Sequence, residues 1–144
     1  MEVFEAGYPK IDGVKYIFRE CCYGIAEVNG KIMLVFSQKD NDYSLPGGGI
    51  EKGEDFTMGL KREFLEETGY TVVNAEHLID VHSTGKNSKG FDVERISHIF
   101  KVEIDEKTKV KPIEDWHKPD FYTIDEVKEF VDSHWQKKLF DKLF

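Results

Sequence analysis

The stretch Gly48–Tyr70, GGIEKGEDFTMGLKREFLEETGY, joins a glycine-rich turn to a helix crowded with carboxylates. Gly47, Gly48 and Gly49 follow Leu45-Pro46, so a strand ends in backbone that a ligand can approach closely. Gly53 permits a second turn, and Glu54 and Asp55 then place negative charge at the positive end of the next helix. From about Phe56 the periodicity is helical, and Gly69 stands where a C′ glycine would end the helix. On a helical wheel Phe56, Leu60 and Phe64 make an apolar stripe at i, i+4 and i+8. Glu63 and Glu67 fall along the same side one turn apart, with Glu66 at its border.

Carboxylates partly withdrawn from water repel one another, and Arg62 offsets only part of the charge, most simply by pairing with Glu66 at i+4. A hard divalent cation with oxygen ligands supplies the balance, and Mg²⁺ characteristically bridges one or two carboxylates to substrate phosphates. REFLEE alone would read as a solvated charged helix face. The wheel position and the glycine lead-in favour the metal.

The same span resembles the Nudix box, G-x5-E-x7-R-E-U-x-E-E-x-G-U with U a bulky aliphatic residue. Gly48, Glu54, Arg62, Glu63, Glu66, Glu67 and Gly69 fill every fixed position. Phe64 and Tyr70 are aromatic where the family usually has aliphatic residues, a departure that concerns packing more than chemistry. The resemblance implies an α/β fold, a Nudix-type α/β/α sandwich with a mixed β-sheet. It implies attack of a metal-activated water on a diphosphate linkage, splitting NDP-X into NMP and P-X with Mg²⁺ or Mn²⁺ as cofactor. It makes Glu63 and Glu67 the principal metal ligands and Glu66 a further ligand or one acting through water. The Gly48 carbonyl completes the shell, and Arg62 and Glu54 orient the carboxylates.

The rest of the chain fits a single domain, residues 1–144, whose 40% apolar content with 11 Phe, 6 Tyr and 2 Trp suffices for a sizeable core. A net charge of −8 excludes unspecific binding of nucleic acid polymers, but not of nucleotides, whose phosphates meet an acidic site through metal. No apolar run approaches membrane-spanning length, and MEVFEAGYPK lacks the basic and hydrophobic regions of a signal peptide, so a cytoplasmic location is expected. Cys21 and Cys22 are adjacent in an expected strand, point to opposite faces, and read as reduced packing residues. The expected partner is a small-molecule diphosphate, with no membrane involved and a homodimer possible in principle.

Strands are expected over Lys15–Val28, Lys31–Ser37, Tyr43–Leu45, Tyr70–Val81 and Glu94–Ile104, with Asn29-Gly30 turning the first hairpin. Thr123–Glu126 is a capping box, Ser133–Gln136 offers a second, and a break is expected near Asp132. Val127, Val131, Trp135, Leu139 and Leu143 give the C-terminal segment a buried face. His82–Asp92, HSTGKNSKGFD, reads as a polar loop that would carry specificity, with Asn87 as its hydrogen-bonding group and Phe91 as its stacking one. Trp116 is a further stacking candidate, or a packing residue under a loop. Asp120, before Phe121, occupies the place where many small Nudix enzymes carry a further carboxylate, and Glu114 and Asp115 compete for that role. The five histidines (77, 82, 98, 117 and 134) show no ligand spacing and read as solvated or structural.

Substrate markers downstream of the box, such as a proline or a tyrosine about fifteen residues on, are missing around Ser83–Ser88. Elimination leaves a MutT-like nucleoside triphosphate pyrophosphatase. The alternatives are a hydrolase of a sugar or isoprenoid diphosphate, and a non-catalytic binding or regulatory module, which the intact set of carboxylates disfavours.

Overall fold

A computed structural model describes residues 3–144. The elements run β1 (Val3–Glu5), β2 (Ile17–Val28), β3 (Lys31–Ser37), β4 (Asp42–Ser44), β5 (Gly47–Gly49), α1 (Phe56–Thr68), β6 (Val72–Lys86), β7 (Asp92–Ile104), β8 (His117–Tyr122), α2 (Ile124–Phe130) and α3 (His134–Leu143). The sheet order is β1-β6-β7-β2-β3-β4, with β5 added to β2 and β8 to β3. β1 lies parallel to β6 and β2 parallel to β7, while the other pairs are antiparallel, so the sheet is mixed.

Burial on both faces explains the layering. In β3, Ile32 and Leu34 join a core with Val127, Val131, Trp135, Leu139 and Phe140 of the C-terminal helical segment. Met33 points the other way, into a core with Leu60 and Phe64 of α1, Cys22 and Phe100. A strand covered on both sides reads as the unbroken apolar run IMLV rather than as an alternation. The result is an α/β/α sandwich with α1 on one face and α2–α3 on the other.

Local signals set the joints. Asn29 (φ 53°) and Gly30 (φ 76°) form the tight hairpin turn that matches strand twist. Asp55 caps α1 by accepting the Met58 N–H at 2.8 Å. Gly69 ends the helix at φ 76°, where an added Cβ would lie 1.8 Å from the Val110 carbonyl oxygen. Thr123 and Glu126 form the expected capping box. The break after α2 is also present, at Val131, which turns extended and bridges Tyr43. Cys21 and Cys22 are both buried free thiols, and burial, with neighbouring Cys21 and carboxylates adding to it, pushes the Cys22 thiol up to about 12.

Three expectations need correction, and strand β8 was not expected. The segment His82–Asp92 is mostly strand: β6 continues to Lys86 and β7 begins at Asp92, leaving a hairpin of residues 87–91. Its Ser and Thr residues disguised a strand whose Ser83 and Thr84 are buried. β8 lies outside the expected strands, and its Pro119 is tolerated on a strand that pairs only with β3. Phe56 does not complete the buried stripe, since it is 39% exposed and stacks on His98 (ring centroids 3.9 Å apart), while Leu60 and Phe64 are buried. The second capping box does not form, because Gln136 is claimed elsewhere. Its Oε1 accepts the buried Leu45 N–H at 2.9 Å, tying α3 to the chain just ahead of the glycines.

Gln136→Ala therefore orphans a buried N–H. It should lower stability by about 1–3 kcal/mol, read as a shift in the midpoint of urea unfolding. An unchanged midpoint would show that water replaces the amide without cost.

Candidate active site

Arg62, in the middle of α1, anchors the site. Its Nε and Nη2 grip both oxygens of Glu54 at 2.8 and 3.0 Å, a two-pronged pair. Nη1 reaches Glu63 Oε1 at 3.1 Å and Glu66 Oε2 at 3.2 Å, and Nη2 also donates to the Gly49 carbonyl at 3.0 Å. The expected i+4 pair with Glu66 exists, but the main partner is Glu54, eight residues earlier and across the turn. Glu54 in turn accepts the Glu51 N–H at 2.8 Å, which fixes the loop between β5 and α1. Arg62 holds the Glu54 carboxyl below its usual range, and the Glu51 N–H adds to the effect.

The glycine strand packs against the other acids. Gly47 donates its N–H to Glu67 Oε1 at 3.0 Å. Gly48 lies so close to Glu63 that an added Cβ would be 2.9 Å from Oε1. β5 is held in that place by pairing with β2, Cys22 opposite Gly48 and Tyr23 opposite Gly47.

A third element arrives from the segment between β7 and β8. The last carbonyls of a helix lack partners within it. Here Glu114 donates its N–H to the Glu66 carbonyl at 3.0 Å, and Val110 donates to the Gly69 carbonyl at 2.8 Å. The segment is thereby drawn over the end of α1, and the Glu114 carboxylate comes within ligand reach of Glu67 and His117. His117 Nδ1 lies 2.9 Å from Glu114 Oε1.

Carboxylates thus outnumber cations at the end of α1. Burial pushes the Glu67 carboxyl well above the usual carboxylate range; the Gly47 N–H opposes this, and the charges of Glu63 and Glu114 reinforce it. Burial also raises Glu63, against the pull of Arg62. The Glu63, Glu66 and Glu67 carboxylates fit a hard divalent ion, with His117 as a nitrogen donor beside Glu67 and Glu114, and the raised Glu63 and Glu67 carboxyls are the cost of holding such a cluster.

A cavity of about 610 Å³ opens beside Glu67 and Gly47, lined also by Tyr23, Arg95, Asn87 and His117. The Arg95 Nε is buried without a hydrogen-bond partner. Tyr8 and His134, whose rings stack 4.2 Å apart, close one side.

The structure gathers Gly48, Glu54, Arg62, Glu63, Glu66 and Glu67 and disperses the other candidates. Asn87 lines the cavity, but its Oδ1 is occupied by the N–H groups of Lys89 and Phe91, so it shapes the hairpin. Phe91 is 55% exposed and stands off the cavity lining. Trp116 is covered by the Lys39 ammonium, 3.5 Å from its ring centre, and its carbonyl accepts the Gln38 N–H. Asp120 is exposed on β8 and accepts the N–H of its neighbour Phe121, while Glu114 reaches Glu67. Arg95, Tyr23 and His117 were missed. Only the i, i+3 spacing of Glu114 and His117 could have pointed to one of them.

The raised carboxyls make a pH signature. Folded protein binds protons at Glu63 and Glu67 more tightly than unfolded protein does. Metal-free stability therefore falls as pH rises above the ordinary carboxylate value of 4.5 through their raised values. His82 acts in the same direction: burial lowers it, but hydrogen bonds to Glu5 and Glu94 raise it overall. Its stabilisation is complete below 6.5 and is lost above its folded value. In excess chelator the thermal midpoint should be lower at about pH 8 than at about pH 6, and Glu67→Gln should narrow the gap. A variant that tracks the parent at both values would remove Glu67 from this account.

The comparisons with known proteins agree with this geometry. Residues 21–143 match the NUDIX domain. A MutT protein from Bacillus halodurans has the same fold with a TM-score of 0.70 at 26% identity, over 85% of this chain and 80% of that one. The MutT NUDIX hydrolase of Burkholderia pseudomallei shares the fold with a TM-score of 0.69 at 17% identity, over 89% and 99%. The nudix hydrolase 6 of Caenorhabditis elegans is 37% identical over 60 residues, which are 40% of this chain and 23% of that protein. A complete box, wrapped around one arginine at the edge of an α/β/α sandwich, thus has its counterpart in a domain match that spans nearly the whole chain, and the chain belongs to the Nudix hydrolases, which cleave diphosphate linkages.

Proposed function

We propose that residues 1–144 act as one domain, a Mg²⁺- or Mn²⁺-dependent pyrophosphohydrolase that splits a nucleoside triphosphate or a related NDP-X into NMP and P-X. The observation that carries this is the cluster of Glu63, Glu66 and Glu67 carboxylates held by Arg62 and the Gly47 N–H, next to a cavity with a buried, unpartnered Arg95 Nε. Glu63 and Glu67 hold the ion, Glu66 and the Gly48 carbonyl complete its shell, and Arg62 with Glu54 keeps the carboxylates in place. When bound, the ion supplies an acidified water and a counter-charge for phosphate oxygens. Arg95 adds fixed positive charge on the substrate side, where developing negative charge needs it. The Tyr8–His134 stack and Tyr23 offer ring faces to a base, and Asn87 keeps its amide NH₂ for a ligand. Phe91, Trp116 and Asp120 remain in this reading only as outer groups that a larger substrate would meet.

The second reading is a sugar diphosphate hydrolase, supported by the Ser83 hydroxyl in the same cavity, where the Thr84 hydroxyl donates to the Tyr8 carbonyl. That polar wall speaks against an isoprenoid chain. A non-catalytic module is disfavoured because no carboxylate of the box is missing.

A panel of nucleoside triphosphates, dinucleotides, nucleotide sugars and sugar diphosphates, assayed with Mg²⁺, separates these readings. Triphosphate cleavage to NMP and pyrophosphate is expected to dominate, and preference for a nucleotide-free diphosphate would overturn the nucleotide assignment. Excess chelator should abolish turnover and leave circular dichroism unchanged; full turnover in chelator would end the metal mechanism. Glu63→Gln or Glu67→Gln should cost on the order of a thousandfold in kcat. Their metal-free stability should hold level or rise as like-charge repulsion is relieved. Near-normal kcat in both variants would mean that these acids are only a solvated face.

A further inference from the structure

A second convergence of ligand atoms lies at the opposite end of α1. Phe56 opens the helix, and Glu67 follows it by about 16 Å at 1.5 Å per residue. Beside Phe56, His77 and Asp80 of β6 meet His98 of β7. Asp80 Oδ1 lies 2.6 Å from His77 Nε2 and 2.7 Å from His98 Nδ1. One ligand atom from each of the three residues falls within 4.8 Å of the others.

Residues three apart on a regular strand would point to opposite faces. They share a face here because the β6–β7 register shifts between His77 and Ile79, so that His77 sits opposite Phe100 and Asp80 opposite His98. Such bulges re-aim side chains and are found next to functional sites. The remaining nitrogen of His98, Nε2, faces Glu20 Oε2 at 2.8 Å. A carboxylate behind the far nitrogen of a ligating imidazole is the usual arrangement that fixes its tautomer and ring plane. The Phe56 ring stacks on His98 from the side of α1, and a cavity of about 370 Å³ leaves room for further ligands.

We propose that His77 Nε2, His98 Nδ1 and Asp80 Oδ1 form a metal site distinct from the box, with solvent completing the shell. Two imidazoles and a carboxylate suit Zn²⁺ and other late first-row ions, whereas Mg²⁺ prefers oxygen alone. Loading replaces both contacts to Asp80. His98 keeps its proton on Nε2 against Glu20, His77 keeps one on Nδ1, and any second proton passes to solvent. The two contacts open to about 3.3 Å, the edge of a tetrahedron with ligand bonds near 2.0 Å. The ion would stiffen the β6 bulge and the first turn of α1, which bears Phe56.

The inference does not rest on the catalytic reading and is tested where box metal cannot interfere. In the full-length Glu63→Gln/Glu67→Gln variant, calorimetric titration with Zn²⁺ should show about one equivalent bound, and Co²⁺ should give visible ligand-field bands. Adding His77→Gln or Asp80→Asn should abolish both signals. Glu20→Gln should weaken Zn²⁺ by about ten- to a hundredfold without changing stoichiometry. No stoichiometric Zn²⁺ in the box variant, or equal binding after His77→Gln, would overturn the site and leave Asp80 as the acceptor of two imidazole hydrogen bonds. Should the ligand variants fail to fold, ring-nitrogen resonances of the folded parent decide. His77 and His98 must shift with Zn²⁺, and unshifted rings refute the proposal.

Discussion

One guanidinium holds the carboxylate cluster of α1 in order. Arg62 contacts Glu54, Glu63, Glu66 and the Gly49 carbonyl at once, so the loop, the glycine strand and the helix register against a single planar group. A lysine carries the same charge but could not grip Glu54 with two parallel bonds while reaching three other acceptors. Arg62 organises the cluster without neutralising it, since burial still holds the Glu67 carboxyl well above the usual range.

The supporting contacts follow from backbone groups that need partners. The open carbonyls at the end of α1 recruit the segment before β8, and that demand, rather than any attraction between acids, brings Glu114 toward Glu67. The buried Leu45 N–H takes Gln136 from α3 and so fixes the approach to the glycines from the opposite layer. Both are cases in which satisfying a main-chain group positions a side chain used for something else.

Much of this was legible in the chain itself. The box spacing carried the six clustered residues, the Asn29-Gly30 hairpin and the Thr123 cap carried their joints, and the apolar runs carried the layers. The signals that failed were those that local pattern cannot hold. A polar strand looks like a loop until its partner is known, as with Ser83 and Thr84 opposite β7. Histidines 77 and 98 lie far apart in the chain and meet only through strand pairing and a bulge. Arg95 is unremarkable in sequence and becomes notable because the sheet buries its Nε beside the cavity.

The box and the cavity wall are drawn from different parts of the chain. The box carboxylates, their arginine and the glycine strand come from about twenty consecutive residues, and their geometry is set by that one segment and its immediate braces. The cavity wall is drawn from scattered places, including Tyr8 ahead of β2, Tyr23 in β2, Arg95 in β7 and His134 in α3. None of these is hydrogen-bonded to the box carboxylates among the described residues. Single substitutions at the wall can therefore reshape the cavity while the arginine-held carboxylates keep their geometry.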